Sequence, residues 1–367
     1  MQDETAAMPT GPARPVRLAR TPYRLSRCRC RPRSAPRDAP RVTQHIESAA
    51  GAAVPPRFRV ALATADVTPW LPGNTGIPGV WQFAAAAPGP HVVVTALVHG
   101  NEIAGAWALD RLLRAGPAPR RGRLSLVFAN LDAYARFDPD NPTVSRFVDE
   151  DMNRLWEPAV LDGPRESREL ARARALRPVI DSADVLLDLH SMLWPGDPLI
   201  LCGPTAKGRR LACAVGTPGL VVADRGHLGG RRLIDYAPFV DPALDRTAIL
   251  VEAGQHWEAT TVEAMLASVA GLLAATGLGP PAAAGPAPRY AEVTHVVTAN
   301  TGTFAFTQPY RGGDVIAARD TLIGVDGGIE IRTPHAQCLL VMPSLRPSRG
   351  HTAVRLARFA PADEKFK

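Results

Sequence analysis

The segment HVVVTALVHGNEIAGAWALDRLL, residues 91–113, places a strand-like run directly before a helix-like run, with two polar side chains at the junction. The β-branched stretch is typical of a strand that is buried on both faces, and the alanine- and leucine-rich stretch is typical of a helix. His99 and Glu102 lie between the predicted strand and the predicted helix. The junction therefore indicates either a metal site or a surface turn that happens to hold two polar residues.

The same alternation continues on both sides of this segment. Further strands are predicted at RFRVALATADV (57–67), RLSLVFANL, DVLLDLH, PLILCG, LVVADR and TAILVEAG, and further helices at ESRELARARALRPVIDSA and EATTVEAMLASVAGLLAATG. Strands that alternate with helices favour an α/β fold with a mostly parallel or mixed sheet flanked by helices. After the Pro/Ala segment PPAAAGPAP, the pattern changes to short strands and Gly turns, which indicates a small C-terminal all-β domain.

These patterns predict four regions along the chain. Residues 1–56 form a tail, residues 57–279 a catalytic domain, residues 280–288 a linker and residues 289–367 a small β domain. An odd number of cysteines without regular spacing suits a reducing compartment, so we expect a cytoplasmic protein. No stretch reaches the roughly 20 apolar residues that a transmembrane helix needs, so we expect no membrane partner.

The positive charge of the chain is concentrated at its N-terminus. Residues 1–45 contain ten arginines and three acidic residues, which accounts for the entire formal net charge of +7. A segment rich in Arg and Pro with few large apolar residues is expected to be disordered. A polyanion-binding arm and an organelle-targeting segment are the alternatives for this tail. Because the rest of the chain is neutral, we expect no nucleic-acid partner except through the tail.

Three predicted strands end in residues that suit metal chemistry. His99 follows the first strand, His190 ends DVLLDLH, and Glu252 lies near the end of TAILVEAG. Ligands of open α/β sheets bind beyond the carboxyl ends of the strands. The i, i+3 spacing of His99 and Glu102 puts both side chains on the same side of a first helical turn. Together with His190 they make a His₂Glu set, which leaves the fourth position of a catalytic zinc open for water. Glu252 would then act as the general base for a metal-activated water that attacks a carbonyl.

The segment SRFVDEDMNRLWE lies between the predicted ligands. DMNR alone is typical of a helix N-terminal cap followed by an exposed arginine. Its position favours a role in binding, because Arg154 offers a planar fork for a substrate carboxylate and Arg146 could stabilise a developing oxyanion.

Four motifs in this order resemble the succinylglutamate desuccinylase/aspartoacylase family of zinc-dependent amidohydrolases. They are HGNE (99–102), RFVDEDMNR (146–154), DLHS (188–191) and VEAG (251–254). The resemblance spans about residues 57–280 and implies the zinc carboxypeptidase-like fold. It also implies one Zn²⁺ per chain, held by His99, Glu102 and His190, with Glu252 as the catalytic base.

The same resemblance assigns the substrate-binding residues. It implies that Arg146 polarises the scissile carbonyl and that Asn153 and Arg154 hold the substrate carboxylate. Asp188 is expected either to orient the imidazole of His190 or merely to cap the strand end. Arg225, Arg231, Arg232 and Tyr236 belong either to a specificity loop or to a solvated loop.

The predicted activity is hydrolysis of the amide of a small N-acyl amino acid, as a desuccinylase or deacetylase performs it. Two alternatives remain at this stage: a zinc carboxypeptidase that acts on short peptides, and a non-catalytic polyanion-binding protein on a hydrolase scaffold. The acyl group and amine of the substrate are not specified by these motifs, and a homo-oligomer is not excluded.

Overall fold

A computed structural model describes residues 58–361, apart from Leu228, Ala282 and Ala284. The predicted N-terminal tail therefore lies outside the described residues. In the described part of the chain, no helix is long and apolar enough to cross a membrane.

Strands make up the centre and the C-terminal part of the described chain. They are β1 (Val80–Ala84), β2 (His91–Ala96), β3 (Arg123–Phe128), β4 (Val185–Met192), β5 (Leu199–Leu201), β6 (Leu220–Ala223), β7 (Thr247–Gln255), β8 (Arg289–Thr298), β9 (Ala305–Phe306), β10 (Val315–Ile316), β11 (Leu322–Asp326), β12 (Ile329–Arg332), β13 (Cys338–Val341) and β14 (Thr352–Ala360).

The α-helices lie between the strands of the N-terminal two thirds of the fold. They are α1 (Ala104–Arg114), α2 (Leu131–Tyr134), α3 (Pro158–Leu161), α4 (Arg168–Asp181), α5 (Ala206–Val215), α6 (Ala237–Val240) and α7 (Ala259–Ala275). Short 3₁₀ turns cover Thr68–Trp70, Val144–Arg146, Met152–Arg154 and Leu233–Asp235.

A large mixed sheet organises the fold, in the order β1-β3-β2-β4-β7-β5-β6-β8-β14-β13-β10. Its centre, β3-β2-β4-β7, is parallel. Every residue of β2 is buried, as its continuous apolar run predicts. Val92 and Val94 pack into one apolar cluster with residues of α1 and α7, while Val93 packs into a second cluster with residues of α4. The prediction of a mixed sheet flanked by helices is therefore confirmed.

The C-terminal part is all β, as the Gly-rich pattern predicts. Strands β8, β14, β13 and β10 extend the large sheet in antiparallel pairs from β8 onward, and β12-β11-β9 form a separate small sheet. Strand β8 itself pairs with β6 in parallel. The boundaries of the linker and of the β domain stay a prediction.

The strand predicted at residues 57–67 is wrong, because the described residues of this segment form no strand. Val67 and Ala65 are buried in the core cluster beside α1, but side chains satisfy two of the backbone carbonyls. Tyr134 donates to the oxygen of Ala65, and Trp107 donates to that of Ala63. The apolar pattern reflects burial of some side chains of this segment, Ala65 and Val67 among them, although no described strand pairs with it.

Arg172 fastens α4 to the edge of the sheet. Its guanidinium donates hydrogen bonds to the carbonyl oxygens of Pro78, Phe128 and Ala129, at 2.7, 2.9 and 2.7 Å. Burial lowers the pKa of this arginine to about 10. Hydrogen bonds from a charged donor to buried acceptors are among the stronger contributions to stability.

We expect Arg172→Ala to lower the free energy of unfolding by about 2–4 kcal/mol, because three carbonyls lose a charged donor. Arg168→Ala removes a guanidinium from the same helix that forms only an exposed pair with Asp132, and should cost less than about 1 kcal/mol. Chemical denaturation of both variants measures the difference. Equal losses would show that Arg172 does not hold α4 in place.

Candidate functional site

The carboxyl ends of β2, β4 and β7 bring the predicted residues to one edge of the sheet. These three strands are adjacent and parallel, so their ends point the same way. His99 follows β2 by three residues, and His190 of β4 lies opposite Glu252 of β7 in the strand register. The sheet itself therefore places these side chains together.

His99 and Glu102 share a tight turn that precedes α1, rather than the first turn of the helix that the spacing predicted. The amide of Glu102 donates to the carbonyl of His99 at 3.2 Å, and α1 begins only at Ala104. Gly100 allows this turn to lie against a neighbouring segment, because a Cβ there would lie 2.3 Å from the carbonyl carbon of Ala133. The amide of Gly100 donates to the carbonyl of Arg146 at 3.1 Å. The i, i+3 relation still brings the two side chains together.

Glu102 lies between the two imidazoles. Its Oε1 is 2.6 Å from His99 Nδ1, and its Oε2 is 3.1 Å from His190 Nδ1. One ligand atom from each of the three residues can be chosen so that all lie within 4.8 Å of one another, and all three residues are buried. This arrangement is that of a candidate metal site.

Acidic side chains contact the far nitrogen of each imidazole. Asp188 Oδ2 is 2.8 Å from His190 Nε2, and Thr95 donates to the other oxygen of Asp188 at 2.5 Å. Asp151 Oδ1 is 3.0 Å from His99 Nε2. Such contacts fix the ring orientation and the tautomer of histidines that bind metals. They leave both Nδ1 atoms directed at Glu102.

Asp151 is a site residue that the sequence analysis missed. It lies within the RFVDEDMNR motif, where it was interpreted only as part of a helix cap. It does cap the Met152–Arg154 turn by accepting from the amide of Asn153, and it also contacts His99 and Arg146. Asp151 is 52 positions from His99 in the sequence, and only the folded chain brings the two side chains into contact.

The charges of the triad perturb one another strongly. Burial opposes ionisation of Glu102, yet His190 and His99 hold the pKa of this carboxyl well below its usual value. Burial also disfavours the cationic form of His190, yet Asp188 and Glu102 raise its pKa well above the usual value. The site thus concentrates buried carboxylates around two imidazoles, which is an environment that attracts a cation.

Glu252 is buried beside the triad, and its Oε2 makes no hydrogen bond with any described residue. Burial, with a smaller contribution from Glu102, raises the pKa of Glu252 to about 8. A buried carboxylate oxygen without a partner is costly unless a ligand or ion satisfies it. Together with the His₂Glu donor set, this atom fits a site built for a metal ion and a small ligand.

The three remaining predicted residues lie on the segment 146–154. Arg146 Nη2 is 2.8 Å from His99 Nε2, and its Nη1 is 3.8 Å from Glu102 Oε1. Asn153 accepts from the amide of Leu233 through Oδ1, so its amide group remains as a donor. Arg154 donates to the carbonyl of Asn153. The pKa of Arg154 is lowered by burial and by the nearby guanidinium groups of Arg146, Arg232 and Arg355. Several guanidinium groups therefore cluster here.

The residues proposed for a specificity loop separate into different roles. Arg232 is buried and forms a bidentate pair with Asp224 and a second pair with Asp235. Tyr236 donates to Asp181, and Arg231 pairs with Glu157. Arg232 therefore completes a buried ion-pair network, while Tyr236 contacts the C-terminal end of α4.

Arg355 of β14 is a further residue that the sequence analysis did not single out. It is buried, its Nη2 lies 2.7 Å from His227 Nε2, and its Nε lies 3.8 Å from Asp224. It follows no motif, and it reaches this network only because the C-terminal strands continue the large sheet.

Fold and site together define an α/β protein with a candidate His-Glu-His metal centre at the carboxyl edge of its parallel strands. Residues 88–193 match the sequence profile of the Succinylglutamate desuccinylase/Aspartoacylase catalytic domain. The resemblance predicted from the four motifs is thereby confirmed. The matched region includes His99, Glu102 and His190, whereas Glu252 lies beyond it.

Solved structures of this family share the fold. A succinylglutamate desuccinylase from Vibrio cholerae is 18% identical with a TM-score of 0.59, covering 77% of this chain and 86% of that one. An aspartoacylase family protein from Mesorhizobium loti is 21% identical with a TM-score of 0.56, covering 77% and 89%. A product-bound ectoine utilization protein from Ruegeria pomeroyi is 16% identical with a TM-score of 0.54, covering 77% and 88%. No protein of curated function matches the sequence.

We expect Gly100→Ala to disrupt the turn that holds His99 and Glu102. An added Cβ would lie 2.3 Å from the carbonyl carbon of Ala133, 2.5 Å from the amide nitrogen of Tyr134 and 2.6 Å from the oxygen of Ser145. Overpacking against backbone costs about 1–3 kcal/mol. Denaturation should show this loss, whereas the exposed Gly219→Ala, whose Cβ meets nothing within 4 Å, should leave stability unchanged. An unaltered Gly100→Ala protein would contradict the tight approach.

Proposed function

We propose that this protein is a zinc-dependent amidohydrolase that cleaves the amide of an N-acyl amino acid. The observation that carries the proposal is the convergence of His99, Glu102 and His190 within 4.8 Å, beside a buried Glu252. The family match supports the reaction class. Two structures of similar fold are described as succinylglutamate desuccinylases, and a third is described as product-bound.

His99, Glu102 and His190 would hold the ion, with their imidazoles oriented by Asp151 and Asp188. Two imidazoles and one carboxylate are the donors of catalytic zinc sites that keep an open position. A zinc ion at this site would supply Lewis acidity and lower the pKa of a water molecule to near neutrality.

Glu252 is the proposed general base. Its unpaired Oε2 can take a proton from the attacking water and return it to the leaving nitrogen, which is the role of a general base that becomes a general acid. Burial raises the pKa of this carboxyl, whereas a cation held by the neighbouring triad would lower it, so the carboxylate could accept a proton while the ion is bound.

The arginines supply the complementary charge for an anionic substrate. Arg146 lies beside the triad and can stabilise the oxyanion that develops on the scissile carbonyl. Arg154, with the amide of Asn153, can bind the carboxylate of the amino-acid part. A substrate with an amide and a nearby carboxylate matches this distribution of charge.

The metal site is tested by metal analysis of the purified protein. We expect about one zinc ion per chain, which His99→Ala and His190→Ala abolish because a His₂Glu set cannot lose an imidazole and retain tight binding. The exposed His295→Ala should keep the wild-type zinc content. No zinc in the wild-type protein, even after zinc is supplied, would refute the proposed metal site.

Glu252→Gln should retain zinc and lower kcat by at least about 10²-fold, since the carboxamide cannot accept a proton. The assay uses N-acetyl- and N-succinyl-amino acids, with short peptides alongside to detect carboxypeptidase activity. Glu258→Gln, an exposed change six residues away, is the matched control and should leave kcat unaltered. A near-normal kcat in Glu252→Gln would exclude this residue as the base.

A further inference from the structure

Glu169, in the first turn of α4, has a carboxylate that is completely buried. It accepts four hydrogen bonds. Oε1 accepts from Asn130 Nδ2 at 3.0 Å and from the amide of Val148 at 2.6 Å, and Oε2 accepts from the amides of Asp149 and Glu150 at 3.0 and 3.3 Å. A carboxylate is needed here, because each of its two oxygens faces two N–H donors.

The three consecutive amides belong to a segment that we call the arginine loop, residues 144–154. This loop carries Arg146 and Asp151 on either side of the amides that Glu169 binds, and Arg154 at its end. The carbonyl of Arg146 accepts from Gly100, and Asp151 contacts His99. The loop is thus tied to the triad at both sides and to α4 in the middle.

Four hydrogen bonds join the carboxylate of Glu169 to its surroundings, and three of them come from the backbone of this loop. All four donors are neutral N–H groups, and hydrogen bonds to a charged acceptor are stronger than those between neutral groups. The first turn of a helix also stabilises a carboxylate through the helix dipole. A second hydrogen bond joins the loop to the start of α4, because the carboxylate of Asp149 accepts from the amide of Arg168.

We propose that Glu169 is a positioning residue that fixes the arginine loop against the triad. In this position Arg146 can reach the scissile carbonyl of the substrate and Arg154 its carboxylate. The idea rests on the proposed function for the identity of the substrate groups. Among the described residues, the carboxylate of Glu169 hydrogen-bonds to Asn130 and to the amides of Val148, Asp149 and Glu150 and not to the triad, so its proposed effect is transmitted through the loop backbone. A displacement of about 1 Å in such a supporting segment can cost about 10²-fold in rate.

Glu169→Gln is the sharpest substitution, because it preserves size and removes one acceptor. Whichever way the carboxamide turns, its NH₂ group faces either the Asn130 and Val148 donors or the Asp149 and Glu150 donors. Two hydrogen bonds are lost, and the NH₂ group of the glutamine lies against two other N–H donors. Glu166→Gln, three residues earlier and exposed, is the matched control.

Hydrogen exchange of the zinc-loaded protein tests the ordering directly. We expect amides in peptides covering residues 145–155 to exchange at least about tenfold faster in Glu169→Gln, with the core strands β2 and β4 unchanged and zinc retained. Glu166→Gln should behave as the wild type. No change at 145–155, or faster exchange throughout the chain, would overturn the proposal.

A second readout separates positioning from stability. The ratio of kcat/KM for an N-acyl amino acid to that for its carboxamide measures how well Arg154 and Asn153 recognise the carboxylate. We expect Glu169→Gln to lower this ratio by about tenfold, whereas a loss of folded protein would lower both rates equally and leave the ratio unchanged. An unchanged ratio would therefore overturn the proposed role.

The two proposals fail in different ways. If the wild-type protein cleaves neither substrate, the proposed function fails, and the exchange experiment still decides whether Glu169 orders the loop.

If Glu169→Gln does not fold, Asn130→Ser removes one of the four donors while serine keeps the N-cap of α2. It should accelerate exchange at 145–155 to a smaller extent, and wild-type exchange there would overturn the proposal.

Discussion

The carboxylate of Glu102 is the contact on which the geometry of the site depends. It joins His99 of its own turn to His190 of the neighbouring strand, and it also accepts from the amide of Ser191 at 3.0 Å. Because β2 and β4 are parallel and in register, this bridge is short only while the centre of the sheet is intact. The same register sets Glu252 opposite His190. Backbone pairing therefore positions His190 and the proposed base, while a tight turn directly after β2 positions the other two candidate ligands, His99 and Glu102.

The residues proposed to bind the substrate depend on a different kind of support. The arginine loop is not part of the sheet. The carboxylate of Glu169 accepts from its backbone in the middle, the amide of Gly100 donates to the carbonyl of Arg146 on one side, and the imidazole of His99 contacts the carboxylate of Asp151 on the other.

Much of the fold could be predicted from local pattern, because burial on both faces leaves a continuous apolar run. Strand β2 and the buried face of α4 follow directly from composition and periodicity. The segment 57–67 shows the limit, since it has the composition of a strand while its carbonyls are satisfied by Tyr134 and Trp107. Strand β1 was missed because VWQFA is short and follows a Gly- and Pro-rich loop.

The site divides in the same way. His190 and Glu252 could be predicted as neighbours because they lie near the ends of apolar strands, and His99 and Glu102 because they follow a third strand directly. The roles of Asp151, Glu169 and Arg355 could not be predicted, because their contacts join residues far apart in sequence and no motif or spacing indicates them. A buried Glu in the first turn of a helix resembles an ordinary surface residue favoured by the helix dipole. Only the donors that surround it distinguish the two.

Charged groups are unevenly distributed within the candidate site. Outside residues 1–45 the sequence contains equal numbers of acidic and basic residues, yet the site does not mix them evenly. Carboxylates surround the two imidazoles, while Arg154 lies near Arg232 and Arg355, which share the buried Asp224. Although burial favours the neutral acid, Arg232 keeps the pKa of Asp224 below its usual value. Arg232 also pairs with Asp235, and Arg154 Nη2 lies 3.9 Å from Asp151 Oδ2. Each guanidinium of this cluster therefore has a carboxylate nearby, so the cluster is stabilised by ion pairing rather than by an excess of positive charge.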